Sequence, residues 1–256
     1  MTEVVIELVS DGIALLRINR PEAKNALNAQ VRRLLAEHLT QLDQDPSVRA
    51  VVITGDETAF AAGADIKDMA QAGAAEMLLR QNHVLWRSIA QFSKPLIAAV
   101  NGYAWGGGCE LAMHADIIVA GEGASFAQPE IRVGIMPGAG GTQRLTRLVG
   151  KHRAMLMLLT GEAVDGAQAA AMGLVSVCVP DDQVLEVAKN IAGKIARMPP
   201  VAVRQIKEVL LAGMDASLDT GLMLERKAFQ LLFDTSDQKE GMAAFMDKRK
   251  PVYEGK

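Results

Sequence analysis

Glu110 and Glu130 are the two residues whose type and surroundings point most directly to chemistry. Glu110 follows three glycines in Gly106-Gly107-Gly108-Cys109-Glu110-Leu111-Ala112, and Glu130 sits in Gln128-Pro129-Glu130-Ile131. Cys109, Leu111 and Ala112 make a setting where an exposed glutamate is not expected. Two carboxyls facing each other in an apolar pocket acquire separated pKa values, one ionised and one protonated near neutrality. Such a pair can act as general base and general acid in one step. Each glutamate also has a plainer role. Glu110 would be a favourable charge at a helix N-terminus, and Glu130 a solvated loop residue. Spacing alone does not choose.

The glycines add a second kind of chemistry. Glycine lets a ligand approach the backbone closely, and the free N–H groups of a helix start stabilise negative charge. A second small-residue loop, Gly63-Ala64-Asp65, follows Phe60-Ala61-Ala62. If the two loops lie side by side, two N–H groups converge on one oxygen as an oxyanion hole. Tight turns and close helix packing would use the same residues. Other chemistries are excluded more firmly. Gly150-Lys151 is followed by His152, not by a phosphate-loop Ser or Thr, and Gly138-Ala139-Gly140 has Gln143 where a dinucleotide fingerprint needs Gly. Gly123-Ala124-Ser125-Phe126-Ala127 lacks the closing glycine spacing of a nucleophile elbow. His38, His83, His114 and His152 have no metal-pair spacing, and Cys109 and Cys178 supply neither a zinc site nor a disulfide framework.

The surrounding sequence must build a scaffold for these loops. The chain has 256 residues, enough for one large core or one core with an appendage. Val4–Val9 and Ile13–Ile18 read as a hairpin turning at Asp11-Gly12. Leu27, Val31, Leu34, Leu35, Leu39 and Leu42 read as one helix stopped by Asp45-Pro46. A strand, a small-residue loop and a helix then occur twice. Val51-Val52-Ile53-Thr54-Gly55 leads to Ala62-Gly63-Ala64-Asp65, and Ile97-Ala98-Ala99-Val100-Asn101-Gly102 leads to Gly106-Gly107-Gly108. A third strand over 116–120 returns through Ser125-Phe126-Ala127. The repeat predicts an α/β superhelix of strand and helix units. After Pro199-Pro200 only helical patterns remain, over 201–211, 218–233 and 241–250, with Thr235 and Gln238 at capping-box spacing. The expected division is a core over 1–197 and a helical packing or oligomerisation region over 198–256. Half the residues are apolar, which excludes disorder, and 27 basic against 30 acidic residues leave no excess for nucleic acid or an anionic membrane. Met1-Thr2-Glu3-Val4 does not begin a secretory signal and no run approaches 18 apolar residues, so a cytoplasmic location with no membrane partner is expected.

Four blocks together resemble the enoyl-CoA hydratase (crotonase) family. They are Phe60-Ala61-Ala62-Gly63-Ala64-Asp65-Ile66-Lys67, Asn101-Gly102-Tyr103-Ala104-Trp105-Gly106-Gly107-Gly108-Cys109-Glu110-Leu111, Gln128-Pro129-Glu130, and Met136-Pro137-Gly138-Ala139-Gly140-Gly141-Thr142-Gln143-Arg144-Leu145. The resemblance runs from Asn19-Arg20-Pro21 to Phe245-Met246-Asp247-Lys248-Arg249. It implies a crotonase-like superhelix of β-β-α units and reversible syn addition of water to a trans-2-enoyl-CoA. It implies Glu110 as base toward water at C3, Glu130 as proton donor or acceptor at C2, and the Ala64 and Gly107 N–H groups as the oxyanion hole. Gly138 would fix the water, while Ala62, Asp65, Ile66 and Lys67 would meet the CoA adenine. Phe245 and Lys248 would border the CoA site, from this or a neighbouring subunit. The resemblance further implies no cofactor beyond the CoA thioester, and a homotrimer or dimer of trimers. Met69, Leu78, Leu79 and Trp86 fall at the acyl end by family position. Trp105 and Ala127 depart from the aliphatic residue and glycine more usual there. A Δ3,Δ2-enoyl-CoA isomerase is the rival enzyme, though isomerases of the family often keep only one of the two glutamates. A non-enzymatic CoA- or RNA-binding member is the other rival, and Lys248-Arg249-Lys250 is the longest basic cluster available to it.

Overall fold

The computed structural model describes residues 2–9 and 11–256. Strands β1 (Val4–Val9) and β2 (Ile13–Ile18) pair antiparallel, and Asp11 and Gly12 take φ values of +65° and +79° at the turn between them. Helix α1 (Ala29–Gln44) begins at Asn28, whose side chain accepts from the Val31 N–H at 2.7 Å. Leu27, assigned to this helix by its spacing, lies outside it. The Asn28 cap starts the helix at Ala29, and the Leu27 N–H turns instead to the Gly63 carbonyl at 2.7 Å.

The middle of the chain winds in turns of two strands and a helical segment. Strands β3 (Ala50–Thr54) and β4 (Ala59–Ala61) precede α2 (Ala74–Leu79) and α3 (Asn82–Ala90). Strands β5 (Leu96–Val100) and β6 (Tyr103–Trp105) precede α4 (Gly107–His114). Strands β7 (Ile117–Gly121) and β8 (Ser125–Ala127) precede α5 (Gly141–Val149) and α6 (Lys151–Thr160). Then come β9 (Val164–Asp165), α7 (Gly166–Ala171), β10 (Val177–Val179) and α8 (Val184–Ala196). Each turn gives its first strand to a six-stranded sheet, β1-β2-β3-β5-β7-β10, parallel from β2 onward. The second strand goes to a smaller sheet, β4-β6-β8-β9. The repeat is therefore real, but its first copy differs from the second. After Gly63-Ala64-Asp65 the chain makes a short 3-10 turn at Ile66–Asp68, capped by Asp65, and α2 starts only at Ala74.

Strands β3 and β5 are buried along their whole length because both faces are covered. Val51, Ile53, Ala98 and Val100 join the core that holds Val31 and Leu35 of α1 and Cys109 and Leu111 of α4. Val52, Ile97 and Ala99 pack on Ala188 and Ala192 of α8. Helices α9 (Pro200–Met214), α10 (Leu218–Leu232) and α11 (Ser236–Met246) follow. Lys207 fixes α9 to the core through Asp116 at 2.7 Å and the Lys94 carbonyl at 2.8 Å.

One buried side chain anchors the loop ahead of α1. Asn25 is fully buried at φ +57°. Its Oδ1 accepts from the Arg20 N–H at 2.8 Å, and its Nδ2 donates to Asp56 at 2.8 Å and to the Ala59 carbonyl at 2.7 Å. The neighbouring Lys24 carbonyl accepts from the Ala62 N–H at 3.0 Å, so this knot also holds the chain leading to Ala64. Replacing Asn25 by Leu leaves three partners without their bonds and strains a left-handed position. We expect a loss of roughly 2–5 kcal/mol, read by urea unfolding. A loss below about 0.5 kcal/mol would show that the knot contributes little.

Candidate active site

Helix α4 is buried at all eight positions, Glu110 included. A carboxylate survives there because other backbone groups are aimed at it. Glu110 Oε1 accepts from the Ala139 and Gly141 N–H groups, each at 2.7 Å. Gly141 opens α5, so Glu110 sits at the positive end of that helix. Burial raises its pKa, while the two N–H groups and the charge of Arg144 pull it back. The Oε2 atom accepts nothing from the described residues. One turn along α4, His114 Nδ1 donates to the Glu110 carbonyl at 2.8 Å, its role fixed because a carbonyl can only accept. Burial and Arg144 push His114 down to about 4, so its ring is neutral at pH 7.

Glu130 lies in a short 3-10 helix, Pro129–Val133, entered through Pro129. Its pKa is pushed up to about 7, first by burial and also by the charge of Glu110. Its Oε2 is buried and meets no partner among the described residues. Gly106 explains how this carboxyl reaches the site. At φ +50° it has no Cβ, and one built there would lie 2.6 Å from Glu130 Oε1. The Gly106 N–H is held by the Ala127 carbonyl at 2.8 Å.

The two small-residue loops do meet. A Cβ on Gly107 would come within 3.5 Å of the Ala64 nitrogen, and one on Gly63 within 3.8 Å of the Gly107 nitrogen. Neither the Ala64 nor the Gly107 N–H donates to a described group. Gly107 is the first residue of α4, where an N–H has no intrahelical partner. Ala64 is positioned without a helix, by the bridge to Leu27. A Cβ on Gly108 would fall 2.0 Å from the Ala61 carbonyl oxygen, so glycine there sets the spacing of the loops.

The other residues singled out by sequence are placed as follows. Gly138 is exposed, and its N–H bonds no described group. Ala62, Asp65, Ile66 and Lys67 form the continuation of the Ala64 loop. The Ala62 N–H is already taken by Lys24, Asp65 pairs with Arg20 at 3.4 Å, and Ile66 and Lys67 face solvent. Phe245, 86% exposed, and Lys248, at φ +56°, lie at the end of α11 and beyond it, with no hydrogen bond or ion pair to that loop. Trp105 turns its indole along the small sheet, donating to Ser125 Oγ at 2.9 Å with its ring 4.9 Å from Tyr103. Trp86 stacks on His114 at 5.2 Å. Sequence reasoning missed Ala139 and Gly141, which act through backbone N–H groups that no side chain advertises. It also missed Gln128, wholly buried, whose amide has no bonded partner and whose Oε1 lies 3.0 Å from a Cβ built on Gly141. The Gln128-Pro129-Glu130 order gave no sign of that burial. No cluster of three metal-ligating side chains occurs among the described residues.

This geometry has close counterparts among known proteins. The family model for enoyl-CoA hydratase/isomerase matches residues 9–256. A probable enoyl-CoA hydratase of Rhizobium meliloti is 49% identical over 98% of both chains. A 2,3-dehydroadipyl-CoA hydratase of Escherichia coli K12 is 46% identical over the full length of both. The crystal structure of an enoyl-CoA hydratase from Bacillus anthracis superposes with a TM-score of 0.95 at 36% identity, covering 99% of this chain and 100% of that one. The chain belongs to the enoyl-CoA hydratase/isomerase family.

Proposed function

We propose that the chain hydrates trans-2-enoyl-CoA thioesters reversibly to 3-hydroxyacyl-CoA, using Glu110 and Glu130 as an acid–base pair. The observation that carries this reading is the convergence of two carboxyls and two unbonded N–H groups on one site. The conjugated thioester makes C3 electrophilic. Water adds its oxygen to C3 and gives a proton to Glu110, whose Oε2 is unbonded while Oε1 is held by Ala139 and Gly141. Charge passes to the thioester oxygen, where Ala64 and Gly107 donate. Loss of one such donor costs about 10²–10³ in rate. Glu130 delivers its proton to C2. The pair begins and ends with one proton, relocated from Glu130 to Glu110, and exchange resets it. Gly138 presents a further N–H toward the water, and the Ala62–Lys67 segment takes the adenine end of CoA. No cofactor beyond the CoA thioester is needed, because conjugation and the two N–H groups supply the activation.

Two carboxyls favour hydration over isomerisation, since moving a proton between carbons needs only one. Assembly as a trimer or dimer of trimers is supported by α10 and its C-cap, where Leu218, Leu222, Phe229 and the capping Phe233 fall on one face and stay exposed. Phe245 and Lys248 would then reach a CoA site across such an interface. The 198–256 helices serve as the assembly region of this reading. The two unpaired cysteines fit a reducing, cytoplasmic setting, and no helix of the described residues is long and apolar enough to cross a membrane.

Three outcomes test it. Glu110→Gln and Glu130→Gln keep shape but remove proton transfer, so crotonyl-CoA hydration should fall at least about 10²-fold in each. Folded variants with near-normal turnover would end the two-carboxylate mechanism. For pH, the active form holds one proton on the pair. As pH rises through about 7, Glu130 loses that proton and kcat/KM falls; on the acid side it falls as Glu110 protonates. Hydration takes up no net proton, so dehydration must show the same alkaline limb. Profiles flat from about pH 6 to 9 would contradict the assignment. Finally, Phe229→Asp should yield a smaller species by light scattering, and unchanged mass would remove α10 from the interface.

A further inference from the structure

Arg144 is a half-buried cation laid over the positive end of its own helix. It stands one turn into α5, and its side chain folds back to the residue that caps the helix start. A Cβ built on Gly140 would lie 3.3 Å from Arg144 Nε and 3.4 Å from its Cδ, so glycine at φ +105° leaves that path open. A cation in this place is disfavoured unless an anion is close. No side-chain hydrogen bond acts on the guanidinium among the described residues. Burial and the neighbouring Arg147 work against its charge, and the carboxylates of Asp215 and Glu110 support it. Asp215 lies outward, as the C-cap of α9, and meets Arg147 Nε at 3.3 Å. Glu110 lies inward, with Oε1 on the Gly141 N–H that opens α5.

The other groups around Glu110 leave Arg144 as its source of positive charge. On α4 burial pushes the Cys109 thiol up to about 12 and His114 down to about 4, so both are neutral at pH 7. Arg144 itself adds to the push on His114. Strands β4 and β6 pack on α4 without a charged side chain, and Tyr103 is their one titratable group. From α3 the uncharged Trp86 covers the His114 ring. Glu130 adds negative charge once it ionises, and Arg147 is drawn outward by Asp215.

We infer that Arg144 is a positioning residue for the reaction: from behind Glu110 it holds that carboxyl in its proton-accepting form, and Asp215 limits how strongly. This rests on the hydration reading above, in which Glu110 must be ionised to take a proton from water. The test is the pH profile of kcat/KM for crotonyl-CoA with the full chain. Removing a cation favours the protonated carboxyl, so Arg144→Gln should move the acid limb up by at least about 0.5 unit. On that limb the loss reads as at least about 3-fold beyond any loss at the optimum. The alkaline limb, set by Glu130, should stay in place. Arg144→Lys keeps the charge and should return the acid limb most of the way. Asp215→Asn removes the outer counter-charge and should move the same limb down, by a smaller amount because Asp215 is exposed. An acid limb unmoved by Arg144→Gln overturns the inference, and so does an equal loss at every pH, which would make Arg144 a packing residue. If the Gln variant does not fold, the surface variant decides: a limb that stays or rises in Asp215→Asn overturns the inference. A wild type with no turnover of crotonyl-CoA removes the hydration reading itself.

Discussion

A buried carboxylate held by two backbone N–H groups is the interaction on which the site depends. Glu110 belongs to a helix with every residue buried, where an unpaired charge would be expelled or neutralised. The Ala139 and Gly141 N–H groups meet it at 2.7 Å each, from the loop that opens α5. The contact therefore welds α4 to α5 and fixes the direction of one carboxylate oxygen. Its other oxygen stays unbonded, so one atom is structural and the other is available. Arg144 and His114 complete the surroundings, the first by its charge and the second by holding the Glu110 carbonyl.

The second carboxyl is arranged by the opposite means. Glu130 has no donors comparable to those on Glu110, and one of its oxygens is buried without a partner. Its pKa near 7 follows first from burial and also from the charge of Glu110. Two residues of one chemical type thus acquire different affinities for a proton. The difference comes from which backbone groups face them.

The β-β-α winding explains why these groups meet at all. Each turn places one strand in each sheet, so the loops after β4 and β6 arrive side by side at the same edge. Parallel pairing of β4 with β6 and of β6 with β8 brings Ala64, Gly107 and Glu130 together from three separate turns. Glycine sets the remaining distances. A side chain at Gly106 would occupy the place of the Glu130 carboxyl, and one at Gly108 would collide with the Ala61 carbonyl.

The sequence by itself determined the elements whose signals are local. Continuous apolar runs marked β3 and β5 because both faces of those strands are covered, and Thr235 marks a cap through its own short side chain. The glycine run and both glutamates were visible as residue types in unusual settings, and the family blocks gave them roles. Tertiary structure decided what depends on groups distant in the chain. Leu27 has helical spacing yet pairs with the Ala64 loop, because the Asn28 cap frees it for a long-range bond. The first repeat has a 3-10 turn where the second has a helix, so Ala64 is oriented by pairing instead of by a helix start. The donors on Glu110 are backbone atoms that any residue possesses, and no side-chain pattern announces them. Arg32 reads as one more charge in an amphipathic helix. Only the packing of α1 against α3 removes it from water without supplying an anion, and burial of a charge is a property of its surroundings, not of its spacing.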